Sequence, residues 1–401
     1  MDRSIVVSLL RKFSLPLAVV VLFGLAWNGV RRMPPSLSPV GSGSGLSALE
    51  ACLSSPGFRE RVTCYQPILE GQLQAQGPRG VLSELDRLQE ERPVFRAHCH
   101  DMAHVLGRFW IARGGTVADG FREGSNICHA GFFHGMVERV FRGGEKLTDE
   151  PLHFSPEELR AKVATVCGPE VLQTTSRNIR FQCLHGLGHA VVFSLGYRLP
   201  IALEICDVLP GNWDQNSCAG GAFMENITGV ERERRMLRAG DPHYPCSIVP
   251  PKYRDSCYGM QTSWMLEDGL AWDAIIAACR AAGSSQLSCF QSFGRDVSPR
   301  VRQGGPVAFV PLCTQLAPDE RAACIRGAVY ALADHTWDGR YAYPFCAVVP
   351  SADVRAECFQ QAHTHLLRSL EQPPETAQRG CLVLSDGKDV CLTTLQQLVT
   401  S

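Results

Sequence analysis

Eighteen cysteines run from Cys52 to Cys391, and they constrain the fold of this 401-residue chain more than any other feature. A reducing cytosol leaves so many thiols open to oxidation, whereas an exported chain uses them as cross-links. No Cys-x-x-Cys motif occurs, which excludes thioredoxin-type redox motifs, the common zinc knuckles and ferredoxin clusters. The cysteines therefore predict disulfide bonds in an extracytoplasmic protein.

From Cys206 onward the cysteines come in close pairs, with 10 to 12 residues within a pair and 33 to 40 from one pair to the next. A step of this size is typical of one helix–turn–helix unit in an α-solenoid. Because turn residues and a helix start follow the first cysteine of a pair, we expect the second in the second turn of the next helix. The pairs are Cys206/Cys218, Cys246/Cys257, Cys279/Cys289, Cys313/Cys324, Cys346/Cys358 and Cys381/Cys391.

The N-terminal half continues this pattern less regularly. Cys52/Cys64 and Cys167/Cys183 form expected pairs, and Cys99 with Cys128 would have to join successive second helices. A small residue recurs three positions after the second-helix cysteine. Since glycine inside a helix costs about 1 kcal/mol against alanine, its recurrence predicts close approach of a neighbouring helix. These glycines are Gly131, Gly186, Gly221 and Gly327.

The repeat covers most of residues 47–401, and at the level of architecture it resembles the disulfide-stapled Sel1-like and tetratricopeptide repeat families. The resemblance implies a curved helical array and nothing about activity. We therefore predict an all-α fold, an α-solenoid in which disulfide-linked helix pairs form a right-handed superhelix.

An apolar run over residues 13–30 follows Arg3, Arg11 and Lys12. Eighteen helical residues at about 1.5 Å each just cross a bilayer core, so the run predicts a single-pass signal anchor. A cleaved signal peptide is the alternative interpretation. The cysteines then place the body in the periplasm or extracellular space. The predicted organisation is a cytoplasmic terminus at 1–12, the anchor at 13–30, a flexible linker at 31–46 and the repeat domain at 47–401, with a histidine-rich part at 93–230.

Charge excludes one class of partner. The formal net charge is −1 and no basic stripe with interleaved aromatic residues occurs, so nucleic acid is not an expected partner. The partners that remain are the membrane, through the anchor, and a small molecule, a peptide or a protein.

Eight of the twelve histidines lie between His98 and His189. Three segments carry most of them, each just after a cysteine of a predicted second helix. Residues four apart stand one above the other on a helix, close enough to bind one metal ion. Since the thiols are expected in disulfides, imidazole and carboxylate remain as ligands, which favours Zn, Cu or Fe. The predicted metal ligands are the pairs His100/His104, His134/Glu138 and His185/His189.

Neighbouring residues receive lesser roles. His129 lies five positions from His134, on another helix face, so it is a weaker candidate ligand. Asp101 is a candidate to orient a metal-binding imidazole through a hydrogen bond, and Glu225 is a candidate additional carboxylate ligand. For His363 and His365 the spacing predicts a solvated helix. Asp334-His335 predicts a turn at a helix end.

Three functions remain open at this point, of which a purely structural role at the cell envelope is the third. The first is a metal-binding protein, with a metal-dependent enzyme as one form of it, although no H-E-x-x-H protease motif is present. The second is a non-catalytic adaptor that binds a peptide or protein on a concave repeat surface, in which the histidines are buried structural residues.

Overall fold

The computed structural model describes residues 42–142, 154–172, 174, 176–229 and 232–400. These residues form helices and no strand, so the predicted all-α class is confirmed for them. The expected anchor at 13–30 lies outside the described residues. Within them, no helix combines the length and apolar character needed to cross a bilayer. The first helix begins at Ser42, inside the predicted linker.

The described residues contain nineteen α-helices. Short 3-10 turns lie at Arg232–Arg234 and Gly283–Ser285, and a π-helical turn at His365–Ser369. The α-helices are α1 Ser42–Leu53, α2 Phe58–Glu91, α3 Pro93–Ala112, α4 Val117–Glu123, α5 Ile127–Arg142, α6 Pro156–Val166, α7 Pro169–Leu172, α8 Arg177–Ser194, α9 Leu199–Cys206, α10 Asn212–Thr228, α11 Pro251–Glu267, α12 Trp272–Arg280, α13 Gln286–Gly304, α14 Val310–Thr314, α15 Pro318–Asp334, α16 Ala342–Ala347, α17 Ala352–Thr364, α18 Pro374–Leu382 and α19 Lys388–Thr400.

Long helices pack side by side in chain order. The series α3, α5, α8, α10, α11, α13, α15, α17 and α19 places each helix against the next. From α12 onward a short helix precedes each long one and packs on it, as α12 does on α13. Proline at the first turn of α3, α11 and α15 suits these starts, because a first-turn residue needs no amide hydrogen to donate.

Every cysteine pairing expected from the spacing is confirmed. The structure contains nine disulfides and no free cysteine. From Cys206 onward, five of the six disulfides join a short helix to an early turn of the following long helix, as Cys313–Cys324 joins α14 to α15, whereas Cys246 lies in the turns before α11. Such a short cross-link stabilises the fold by about 3 kcal/mol, because it lowers the conformational entropy of the unfolded chain.

Paired glycines set the distance between long helices. A Cβ on Gly188 of α8 would overlap the Cys218 carbonyl oxygen, and one on Gly221 of α10 would overlap the His185 carbonyl oxygen. The same reciprocal contact joins α13 and α15 through Gly294 and Gly327. The predicted packing role of the recurring glycines is therefore confirmed.

The helical array curves back on itself. His335 Nε2, after α15, lies 2.5 Å from Gln89 Oε1 of α2, and Arg96 of α3 donates to the Arg302 carbonyl oxygen at 2.5 Å. Farther along, Asn178 of α8 donates to the Leu370 carbonyl oxygen at 3.4 Å. Residues nearly two hundred positions apart or more thus meet across the interior.

We expect Gly327→Ala to lower the free energy of unfolding by about 1–3 kcal/mol, because its methyl group would overlap the Gln291 carbonyl oxygen. Gly259, inside α11, is a matched control, since a Cβ there meets nothing within 4 Å. Gly259→Ala should stabilise by about 0.5–1 kcal/mol through helix propensity. Thermal unfolding of the three proteins checks both signs, and equal shifts would contradict the packing role.

Candidate metal centre

Two adjacent helices bring three imidazoles together. His100 and His104 lie one turn apart on α3, and His134 lies on α5, which packs against α3. One ring nitrogen from each of these three residues lies within 4.8 Å of the other two. The Nε2 atoms of His100 and His104 are 3.1 Å apart. Helical i,i+4 spacing and one helix–helix contact therefore suffice to assemble the group.

The tautomer of His100 follows from its other nitrogen. Its Nδ1 lies 2.7 Å from the carbonyl oxygen of Cys128. A carbonyl oxygen only accepts hydrogen bonds, so Nδ1 carries the proton and donates it. In the neutral ring Nε2 then holds a lone pair, directed toward His104.

His104 has the same tautomer for a different reason. Its Nδ1 lies 3.3 Å from Glu138 Oε2, a carboxylate oxygen that Arg108 Nε also holds at 3.0 Å. A second Arg108 nitrogen donates to Glu138 Oε1. Because the carboxylate accepts from His104 Nδ1, the lone pair of this ring lies on Nε2 as well.

Two lone pairs facing each other at 3.1 Å repel unless a cation lies between them. Two imidazole nitrogens bound to one tetrahedral zinc, at about 2.0–2.1 Å each, are separated by about 3.3 Å. The observed separation is therefore close to that of two ligands on one ion. The hydrogen bonds behind both rings are those that commonly orient metal-binding histidines.

His134 offers a third lone pair. Its Nε2 lies 3.1 Å from Gln182 Oε1, while Gln182 Nε2 donates to Asn178 Oδ1 at 3.3 Å. That second bond fixes the amide, so Gln182 accepts from His134 and leaves the lone pair on Nδ1. This Nδ1 is buried and has no hydrogen-bond partner. An unpartnered buried acceptor is costly, and a metal ion would satisfy it.

On α8, His189 extends the group. Its Nδ1 donates to Glu225 Oε2 at 2.9 Å, and Tyr197 donates to the other oxygen of that carboxylate at 2.8 Å. The buried Nε2 of His189 has no partner. The His185 ring lies one turn before it, 5.1 Å away between ring centroids, and its Nδ1 is also buried without a partner.

Ring contacts connect these residues to two more histidines. The His129 ring lies 6.3 Å from His100 and 4.6 Å from His335, between centroids. Cys128, His129 and Ala130 have φ values of 56°, 54° and 56°, a left-handed turn within α5. Helical periodicity therefore does not apply to His129, which faces His335. We call the full set the histidine cluster: His100, His104, His129, His134, His185, His189 and His335.

Burial keeps most of the cluster neutral. Removal from water lowers the pKa of His104 to about 3 and holds the pKa values of His134 and His185 well below 6.5. His134 and His185 are buried, whereas His100 and His104 retain partial exposure. Neutral imidazole is the form that binds metal, and one side of the group remains open to solvent.

The predicted ligands have different surroundings. His100, His104 and His134 converge, and the His185 and His189 rings pack against His134 at 5.3 and 5.8 Å. Of the lesser candidates, Glu225 supports an imidazole, in this case His189. The predicted ligand Glu138 contacts His104 Nδ1 and Arg108.

The solvated helix expected for His363 and His365 was wrong. Both are buried, because Tyr343 lies 3.1 Å from His363 Nδ1 and the Tyr330 ring stacks on His365 at 3.9 Å. Although His363 lies close to two cysteine sulfurs, those sulfurs form the Cys381–Cys391 disulfide and are not thiolate ligands.

Sequence reasoning missed Gln182, Arg108 and Arg302 near the cluster, and placed His335 only in a turn. The turn is confirmed, since His335 follows the end of α15. The available sequence signal for Gln182 was its position three residues before His185, on the same face of the helix. For His335 and Arg302 no local signal existed.

Comparison of the chain with protein-family models, curated proteins and solved structures finds no match.

We expect acid to destabilise the metal-free protein. Below about pH 6.5 the histidines of the unfolded chain bind protons, whereas the buried imidazoles of the folded protein stay neutral. The free energy of unfolding therefore decreases as the pH is lowered from about 6.5 toward the pKa of about 3 that His104 has in the folded protein. Each such histidine costs about 1.4 kcal/mol near pH 5.5. Melting temperatures measured in chelator at both ends of the window check this. His134→Gln should flatten the slope, and an unchanged slope would contradict the neutral state.

Proposed function

We propose that this protein binds a transition-metal ion through His100 Nε2, His104 Nε2 and His134 Nδ1, with the His189 ring packed beside His134 and the fourth position open. The observation that carries the proposal is the pair of Nε2 lone pairs directed at each other across 3.1 Å. A cation is the simplest partner for both. The buried, unpartnered nitrogens of His134 and His189 support the same assignment.

Zinc fits this donor set best. Non-haem iron sites use two histidines and a carboxylate, but here Arg108 holds Glu138, and His189 with Tyr197 holds Glu225. Three imidazoles with one open position are the arrangement of a catalytic zinc site. We therefore assign Glu138 to orienting His104 rather than to binding the ion.

The chemistry expected of such a centre is activation of water. An ion held by three imidazoles lowers the pKa of bound water to about 7, which supplies hydroxide at neutral pH. The partial exposure of His100 and His104 supports access of water from one side. A metal-dependent hydrolase is the enzyme form of this proposal.

We also propose that the cross-linked body is an α-solenoid outside the reducing cytosol, held by the anchor predicted at residues 13–30. The nine disulfides support this location, because such bonds persist in the periplasm and extracellular space. The side-by-side packing of successive long helices supports the solenoid assignment.

Elemental analysis of the purified full chain tests the metal centre. We expect about one zinc per chain, lost in His104→Ala because that change removes one of the two facing lone pairs. His98→Ala is the matched control, since His98 lies on the same helix and is not part of the histidine cluster. Metal-free protein whose melting temperature is the same with and without added zinc would instead favour the adaptor.

A second variant separates orientation from ligation. Glu138→Gln keeps the shape of the side chain but weakens its bond to His104 Nδ1, so zinc affinity should fall about 10–100-fold. Glu84→Gln, which alters only an exposed ion pair with Arg87, should leave the affinity unchanged. Competition with a chromophoric chelator measures both affinities. Equal affinity for the wild type and Glu138→Gln would remove Glu138 from the centre.

A further inference from the structure

A partly buried arginine without a carboxylate partner adjoins the histidine cluster. Arg302 of α13 reaches His335, with Nη1 3.1 Å from His335 Nε2. No carboxylate of the described residues is among the groups that act on its guanidinium, and its buried Nε has no hydrogen-bond partner. Burial lowers the pKa of Arg302 to about 10, so the group remains charged at neutral pH.

In either neutral tautomer of His335, one N–H group at this site has no hydrogen-bond acceptor. Gln89 Nε2 donates to Asp86 Oδ1 at 2.8 Å, so Gln89 presents its oxygen to His335 Nε2. If Nε2 carries the proton, it donates to Gln89 and the Arg302 N–H has no acceptor. If Nε2 carries the lone pair, it accepts from Arg302, and the buried Nδ1–H has no partner.

Nearby acidic groups are already engaged elsewhere. On the helix of Gln89, Asp86 and Glu90 accept from Arg340, and within the histidine cluster Glu138 accepts from Arg108 and Glu225 from Tyr197. Another cation, Arg96, also acts on Arg302 and lowers its pKa, and Arg96 itself donates to main-chain carbonyl oxygens. A metal ion among the imidazoles would add further positive charge. The site therefore has an excess of donors and of positive charge.

We propose that Arg302, His335 and His129 form an anion subsite beside the metal centre, which binds a small oxyanion such as a carboxylate or phosphate group. Oxyanions supply acceptors only, and a guanidinium is the side chain that recognises them most specifically. The substrate of the metal centre would then carry such a group. That last step rests on the proposed function, whereas the anion subsite itself does not.

The fold supports this subsite by joining distant parts of the chain. Arg302 comes from α13, His335 follows α15, and the His129 ring reaches them from the left-handed turn of α5 at 4.6 Å. His129 in turn lies 6.3 Å from His100, a proposed metal ligand, between ring centroids. An anion bound here would therefore lie next to the ion and not at a separate surface.

Calorimetric titration of the full chain, purified in detergent with its disulfides intact, tests the proposal. Inorganic phosphate is titrated into the chelator-treated protein, and acetate into the metal-free and zinc-loaded proteins. Arg302→Gln should weaken anion binding at least about tenfold, because a charge-assisted bond contributes about 1.5–3 kcal/mol. Arg300→Gln, on the same helix but with its guanidinium over Trp272, is the matched control and should bind as the wild type does.

Arg302→Lys retains the charge without the planar fork and should lose affinity several-fold, which keeps the test open if the glutamine variant does not fold. Wild-type affinity in either folded variant overturns the subsite, as does the absence of heat with both anions. Zinc content measured on the same samples separates the proposals. Anion binding that depends on Arg302 in a protein without zinc leaves the subsite standing and removes the metal centre. Zinc without anion binding does the reverse.

Discussion

Close contact between neighbouring long helices is the constraint on which the histidine cluster depends. Gly135 of α5 lies against the main chain of His104, and Gly221 of α10 against that of His185, where any Cβ would overlap a carbonyl oxygen. The turns that carry the imidazoles are therefore the turns at which two backbones touch. Larger residues there would push the helices apart, and ring nitrogens from α3, α5 and α8 would no longer meet.

Hydrogen bonds behind the rings then determine what the cluster can do. A main-chain carbonyl, a carboxylate and an amide oxygen accept hydrogen bonds from the ring N–H groups of His100, His104 and His134, respectively. Each bond directs the remaining lone pair inward, and burial keeps the rings neutral. Disulfides reinforce the same arrangement, because Cys99–Cys128 joins the residues immediately before His100 and His129. The disulfide and the hydrogen bonds thus constrain the same group of imidazole rings.

Much of the fold could be predicted, because the relevant signals are local. Cysteines 10 to 12 residues apart span one turn between two helices, so each had one close partner. The i,i+4 histidine pairs follow from helical geometry in the same way. Local reasoning misassigned His363 and His365, since their burial depends on Tyr343 and Tyr330, which approach from other helices. It also could not place His129, because a left-handed turn interrupts the periodicity on which that prediction rested.

The sequence by itself determined the helical class and the close cysteine pairs, and it singled out the histidines that include the three that converge, since these depend on spacing along a single helix or turn. Only the tertiary structure decided which nitrogen of each ring faces inward, that Glu138 contacts Arg108 and His104, and that Arg302 and His335 lie beside His129. The ring orientations and the Glu138 contacts depend on how neighbouring helices pack, and the Arg302 and His335 contacts depend on a fold that brings residues more than two hundred positions apart together. No pattern within one helix encodes either.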